Sequence, residues 1–442
     1  MTLVNRHPFG AGLAIEKHRL KNGLVVLLLR DSAAPVVAYQ TWYRVGSSHE
    51  RPGKTGLAHL FEHLMFNQTE HLAAGEFDRR MEAVGGETNA ATWVDWTYYR
   101  DSVPAAQLEL AVTLEADRMA HLTLTEKQLE SEREVVASER RMRVDDDVEG
   151  FLSEELFRHV FTKHSYHWPT IGWMEDIMAF TTDDCRSFYG TYYAPNNATL
   201  VICGDIDVDA TLALVDKHYG GIPAASIPIP SFDAEPAQTD ERRASWKKPV
   251  TADRAVFAWR APAQSHPDWL PLQLASEVLL GGPSSRLYRR LVVESETASS
   301  VSGMLMPVAQ PGIFEVFTSM VRGKTAADAE TIIDQEIARL AAEPVSPAEL
   351  AKCKNRYETG FWSELETADG KAEALGHYET VLGDYRALFE AAARVETLGA
   401  EDVRRAAATY LTKDVRTIVI AEPSGEADDD DAAGEDEDVS EA

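Results

Sequence analysis

Short apolar runs in the first hundred residues predict β-structure. Residues 24–29 form a continuous apolar run directly after the turn pair Asn22-Gly23, and residues 36–45 are rich in β-branched and aromatic side chains. Both patterns are typical of strands. Residues 87–103, where Thr, Trp, Tyr and Val are frequent, predict one long extended strand.

Helical periodicity appears in four segments between residues 56 and 142. Between residues 56 and 66 the apolar side chains recur three or four positions apart, which predicts a helix. A second helix is expected at about 75–84, before a Gly-Gly pair. Two longer helices are predicted at 105–121 and 126–142, and Thr125 with Gln128 forms a capping-box pattern at the start of the last one.

The pattern is interrupted once, and we expect the second half to repeat it. Residues 221–252 hold five prolines and little periodicity, which indicates a linker between domains. We therefore expect an N-terminal domain at 1–225, a linker at 226–250, a C-terminal domain at 251–424 and an acidic disordered tail at 425–442.

Charge narrows the range of partners. The net charge is −29, and residues 426–442 carry ten acidic residues without a Lys or Arg. Such a field disfavours nucleic acid and anionic lipid and favours cationic ligands such as basic peptides. We see neither a membrane-spanning run nor a signal peptide, so we expect a cytoplasmic protein, or a periplasmic one if a signal has been removed.

The candidate chemistry lies within the first predicted helix, in the sequence His-Leu-Phe-Glu-His at 59–63. Positions i and i+4 share one helix face, so His59 and His63 can reach one metal ion. Glu62 lies beside them and can act as the base that activates a water molecule. The alternative is a helix that exposes two polar histidines.

A catalytic zinc ion needs about three protein ligands and an open position for water. Glu132 and Glu139 are seven residues apart on the predicted helix 126–142 and therefore lie on one face. One of them can ligate while the other hydrogen-bonds a ligand histidine. By itself, the same helix could equally be a charged, solvated one.

Together these residues resemble the pitrilysin and insulinase family of zinc peptidases, which includes the mitochondrial processing peptidase. The motif is inverted relative to that of other zinc peptidases, because its Glu precedes the second His. The resemblance implies one Zn²⁺ per chain with Glu139 as third ligand, Glu132 as its support and Glu62 as catalytic base. It also implies a mixed α/β fold of two homologous domains, each a mixed β-sheet with packed helices, that form half of a clam-shell chamber.

The segment Asn89-Ala90-Ala91-Thr92 is similar to the family's strand beside the zinc. An edge strand there could pair with an extended peptide substrate. We therefore expect Asn89 and Ala90 to bind substrate, although Asn89 could also be a simple turn residue after the Gly-Gly pair.

One departure from the family pattern predicts a partner. The stretch 281–288 matches the family, but the positions where active complexes carry an Arg and a Tyr hold Val292 and Ser299. We therefore expect a heterodimer in which a homologous subunit without zinc ligands supplies the Arg and Tyr that stabilise the oxyanion. The alternatives are a self-sufficient homodimer, a non-catalytic scaffold or core-type subunit, and a zinc-binding protein without peptidase activity.

Overall fold

The computed structural model describes residues 1–10 and 12–425, which divide into two compact units. Among the described residues, the first unit comprises those within 1–141, 163–235 and 358–396, and the second those within 142–162, 236–357 and 397–425. The domain boundaries predicted from the sequence stay a prediction, and each of the two units takes in chain from both halves. The predicted acidic tail lies, apart from Gly425, outside the described residues.

In the described part of the chain, twelve strands form two sheets, one in each unit. The strands are β1 (Thr2–Pro8), β2 (Ala14–Arg19), β3 (Val25–Arg30), β4 (Val36–Tyr43), β5 (Glu87–Thr92), β6 (Thr97–Pro104), β7 (Ala198–Gly204), β8 (Arg242–Lys248), β9 (Arg254–Arg260), β10 (Ala298–Leu305), β11 (Ile313–Met320) and β12 (Thr417–Pro423). The first sheet has the order β1-β2-β3-β7-β4-β6-β5, and the second β10-β11-β9-β12-β8. Each contains one parallel pair among antiparallel ones, β3 with β7 and β12 with β8, so the predicted mixed α/β class is confirmed.

The described residues also form fourteen α-helices. They are α1 (Leu57–Leu64), α2 (Glu76–Glu82), α3 (Leu108–His121), α4 (Glu126–Arg140), α5 (Val148–Val160), α6 (Met174–Met178), α7 (Thr182–Tyr192), α8 (Val208–Tyr219), α9 (Trp269–Leu280), α10 (Ala326–Ala342), α11 (Pro347–Glu364), α12 (Ala368–Leu382), α13 (Ala387–Thr397) and α14 (Ala400–Tyr410).

The first sheet is buried on both faces, which explains why β3 is apolar without alternation. Val26 and Leu28 face a core built with α1, α3, α7 and α8. Leu27 and Leu29 point to the opposite face, against residues of the segment 358–396. There α12 approaches so closely that a Cβ on Gly376 would lie 2.1 Å from the Trp42 indole nitrogen, so only glycine fits.

The second unit likewise consists of a β-sheet and the helices that pack on it. Its five-stranded sheet is contacted by α5 along β9 and β12 and by α9 along β10, while α10 packs on α14. The central strand β9 and its neighbour β12 are almost wholly buried, whereas β8 at the edge has no fully buried residue.

One sequence expectation was wrong, and one strand escaped prediction. Residues 87–103 form a hairpin, β5 and β6, and not one strand. Trp93 N–H donates to the Trp96 carbonyl at 2.9 Å across the turn. This turn holds a single turn-forming residue, Asp95, which is a weak signal among Trp and Val residues that favour strands. Strand β8 lies inside the predicted linker, where its exposed Arg and Lys residues hid the alternation of an edge strand.

Candidate metal centre

Helix α1 is fixed by aromatic packing along its buried side. The ring of Phe61 lies 4.8 Å from that of Tyr193 and 5.5 Å from that of Phe188. The Tyr99 hydroxyl, from β6, donates to the Phe61 carbonyl at 3.4 Å. These contacts hold the helix in one rotation about its axis and leave His59, Glu62 and His63 only partly buried.

The amino end of α1 is capped from a distance. Its N-cap is Gly56, which has no side chain to accept the free N–H groups. Glu50 replaces that acceptor, with one carboxylate oxygen 2.8 Å from Gly56 N and the other 2.7 Å from Ala58 N. Burial raises the pKa of Glu50 well above its usual range, although these N–H groups act in the opposite direction.

Helix α4 packs against α1 and brings the third candidate ligand. Leu129 and Val136, seven residues apart, are buried beneath it. Glu132 and Glu139, also seven apart, lie on the neighbouring stripe. The capping box predicted from the sequence is present, since the Thr125 side chain accepts from Gln128 N while Gln128 reaches back to Thr125 N.

Three ligand atoms converge between the two helices. The Glu139 Oε2 atom lies 3.6 Å from His59 Nε2 and 3.3 Å from His63 Nε2. All three atoms lie within 4.8 Å of one another. Tetrahedral bonds of about 2.0–2.1 Å place two ligand atoms about 3.3 Å apart. The spacing and the mixed nitrogen and oxygen donors therefore fit one zinc-sized ion.

Glu132 lies on the side of the His63 ring that is opposite to Glu139. Its Oε2 is 3.8 Å from His63 Nδ1, whereas His63 Nε2 faces Glu139. Asn67 holds the Glu132 carboxylate by a hydrogen bond of 3.0 Å, and the Gln128 amide donates to Asn67 at 3.4 Å. A chain of polar contacts thus runs from the start of α4 to the rear of the His63 ring.

The charges around His63 favour a cation. Burial by itself would lower the pKa of His63, but the hydrogen bond and charge of Glu139, with the charges of Glu62 and Glu132, raise it above its ordinary value. The carboxylate of Glu62 also adds to the raised pKa values of Tyr99 and Tyr193, for which burial is the main cause. Glu62 is therefore within electrostatic reach of the ring that would bind the ion.

The hairpin strand β5 lies at the free edge of the first sheet, with α1 close to it. Since Trp93 N–H bonds to Trp96 across the turn, alternation along the ladder leaves the backbone groups of Thr88, Ala90 and Thr92 facing outward. The Asn89 side-chain oxygen accepts the outward N–H of Ala90 at 2.9 Å.

Two supporting residues were missed from the sequence. Glu50 directly precedes Arg-Pro-Gly at 51–53, a sequence typical of a turn and not of a helix cap. The available signal was a helix that begins at glycine without a capping side chain, because its N–H groups then need an acceptor elsewhere. Asn67 gave no signal, since its role depends on how the loop after α1 folds back toward α4.

Two family models match the chain. "Insulinase (Peptidase family M16)" covers residues 25–172, and "Peptidase M16 inactive domain" covers residues 179–357. The zinc protease PqqE of Helicobacter pylori is 33% identical over 416 residues, which span 92% of this chain and 93% of that protein. This chain belongs to the insulinase family, peptidase family M16. All three converging residues, His59, His63 and Glu139, lie within the segment matched by the insulinase model.

Solved structures of M16 proteins share the fold. A protease from Helicobacter pylori matches with a TM-score of 0.89 and 32% identity, over 92% of this chain and 99% of that one. A peptidase M16 inactive domain from Pseudomonas fluorescens matches with a TM-score of 0.85 at 17% identity, over 93% and 98% respectively, which supports the fold alone. Among the described residues of this M16 chain, no helix combines the length and apolarity needed to cross a membrane.

We predict that the remote cap sets the stability of α1. Glu50→Ala removes the acceptor of two N–H groups, which should cost about 2 kcal/mol and speed amide hydrogen exchange in α1 about 30-fold. Asp147→Ala is the matched control, because Asp147 caps α5 by a 2.6 Å bond to Gly150 N. It should speed exchange in α5 alone. Unchanged exchange in α1 of the Glu50 variant would show that the cap is dispensable.

Proposed function

We propose that this chain is a zinc-dependent endopeptidase. The observation that carries the proposal is the convergence of His59, His63 and Glu139 at spacings that suit one tetrahedral ion. The zinc protease name of a relative that is 33% identical over nearly the whole chain supports the same metal. Zinc, when bound, would polarise the scissile carbonyl and make a water molecule more acidic.

The remaining chemistry is assigned to side chains of α1 and α4. Glu62 takes a proton from the attacking water and passes it to the leaving amine, so one carboxylate serves both halves of the reaction. Glu132 faces, at 3.8 Å, the His63 ring nitrogen that does not face Glu139, and its role in the proposal is to orient the imidazole. Asn67 in turn fixes Glu132.

We further propose that the substrate is a peptide bound in extended form along β5. The outward backbone groups of this edge strand can accept an added strand. The Asn89 side-chain oxygen occupies the place beside Ala90 N–H that a substrate carbonyl would take, so Asn89 and Ala90 are the expected contacts. Binding within a closed chamber would restrict the enzyme to peptides, and the acidic chain favours cationic ones.

Activity is proposed to need a homologous partner without zinc ligands. Val292 and Ser299 stand where an Arg and a Tyr would stabilise the oxyanion, and neither carries a guanidinium or a phenol. Nearby Arg286 is not a substitute, because its guanidinium is engaged by both oxygens of Glu349 at 2.8 and 2.7 Å.

A non-catalytic role, as a scaffold or core-type subunit, is the second candidate. It is favoured by the match to an M16 inactive domain, but that match covers residues 179–357 and none of the candidate ligands. The residues expected for the chemistry lie at 59–139, in the part matched by the insulinase model. The catalytic proposal therefore accounts for more of the chain.

Glu62→Gln separates catalysis from metal binding. The amide keeps the shape of the side chain but cannot accept the proton, so peptide hydrolysis should fall about 10²–10⁴-fold while zinc content stays at the wild-type level. Zinc is measured by atomic emission and hydrolysis with fluorogenic peptides. Glu134→Gln, which makes the same charge change at an exposed position of α4, should leave both unchanged. Hydrolysis at the wild-type rate in the Glu62 variant would exclude Glu62 as the base.

The partner requirement is tested by comparing the purified chain with the complex isolated from its source. The chain alone should hydrolyse peptides at least about 10²-fold more slowly, the usual cost of one lost oxyanion donor. Val292→Arg with Ser299→Tyr should raise the activity of the lone chain. The control pair Val292→Met and Ser299→Phe has similar size without the donors and should not. Full activity of the unmodified chain, free of any second polypeptide, would reject the heterodimer.

A further inference from the structure

A second group of metal-ligand residues lies away from the first, at the carboxyl end of α3. We call it the α3 cluster, and it consists of His71, Asp117 and His121. Asp117 Oδ1 lies 2.5 Å from His71 Nδ1 and 3.0 Å from His121 Nδ1. The two imidazole rings are 4.7 Å apart and nearly perpendicular. Each residue offers a ligand atom within 4.8 Å of the others.

The donor set has the chemistry of a transition-metal site. Two imidazoles with one carboxylate suit Zn²⁺ and related divalent ions. Asp117 and His121 are four residues apart on one face of α3, and His71 comes from the loop between α1 and α2. Ligand spacing of about 3.3 Å around zinc requires His71 to move by less than 1 Å from Asp117. Its side chain is 60% exposed, so little packing opposes such a shift.

A cavity of about 290 Å³ adjoins the cluster. It is lined by all three residues and by His218 of α8. The Nε2 atom of His218 is buried, and within the part of the chain that the structure describes it has no hydrogen-bond partner. The cavity therefore has room for an ion with its water ligands and a further unused imidazole nitrogen in its wall.

The cluster fastens the loop 65–75 that leaves the catalytic helix. Thr69 donates through its hydroxyl to Asp117, and Glu70 N–H donates to the His121 carbonyl at 2.9 Å. The same loop carries Asn67, which holds the Glu132 carboxylate behind His63. Any ion that bridges His71 to α3 would tie this loop down at an exposed residue.

We propose that His71, Asp117 and His121 bind a second Zn²⁺ ion, which anchors the loop 65–75 to α3. This site is structural and separate from the proposed catalytic one. Its ligands come from α3 and from the loop after α1, whereas the proposed catalytic ligands come from α1 and α4. It makes the chain a binder of two zinc ions, and loss of the second ion should loosen the loop.

Metal-free full-length protein titrated with Zn²⁺ in a calorimeter tests the proposal. The wild-type chain should bind two ions. A His59→Ala and His63→Ala variant should keep one ion, with a rise in melting temperature on adding Zn²⁺. Adding His71→Gln and His121→Gln to it should abolish both effects. Glutamine can still hydrogen-bond Asp117, so the fold is expected to survive, and circular dichroism checks this.

The control is His159→Gln, since His159 lies beside Glu155 on α5 and belongs to neither metal-ligand group. It should leave two ions per chain. If the His59→Ala and His63→Ala variant is unstable, the His71→Gln and His121→Gln pair is made in the wild-type chain, where binding should fall from two ions to one. Two ions in that chain, or no zinc bound by a folded His59→Ala and His63→Ala variant, would overturn the second site. If instead the proposed catalytic site does not bind zinc, the otherwise wild-type chain with His71→Gln and His121→Gln should bind no zinc at all.

Discussion

The packing of α4 against α1 is the contact on which the proposed chemistry depends. Two imidazoles on one helical turn cannot complete a catalytic zinc site alone. The third ligand, Glu139, comes from a helix that begins 63 residues after His63 and reaches the rings at 3.3 and 3.6 Å only because Leu129 and Val136 anchor α4. Glu50 at one end of α1 and Asn67 beyond the other hold this geometry from loops.

Much of this centre could be predicted because the spacing of its residues along each helix indicates which of them share a face. The four-residue spacing of His59 and His63, and the seven-residue spacing of Glu132 and Glu139, place each pair on one helix face. The sequence could not decide between Glu132 and Glu139 as ligand without the family resemblance. The structure places Glu139 against both ring Nε2 atoms and Glu132 against the far side of His63 alone.

What escaped prediction depends on distant or weakly marked structure. The turn at Trp93–Trp96 combines Trp and Val, which favour strands, with one Asp, and this buried Asp95 accepts from Ser48 and Tyr166, which only the folded chain brings near. Strand β8 exposes its charges at a sheet edge. The segment 358–396 covers the second face of the first sheet, although it lies over 150 residues after β7. The hydrophobic periodicity of a helix indicates which of its faces is buried but not which sheet that face will cover.

The two His–carboxylate groups share one short stretch of chain. His63 and His71 stand at either side of the end of α1, and Asn67 between them links that stretch to Glu132. The first group joins α1 to α4, and the second joins the following loop to α3. Metal binding at both would stabilise the same stretch of chain from two sides, so the order of α1 and the metal content of the chain are expected to be coupled.

The most direct test of the central claim is anomalous diffraction at the zinc edge from crystals of the full chain grown with Zn²⁺. We predict an anomalous peak about 2.0–2.2 Å from His59 Nε2, His63 Nε2 and a Glu139 carboxylate oxygen. Zinc-bearing crystals with no peak between these three side chains, or with Glu139 turned away from both imidazoles, would contradict the account.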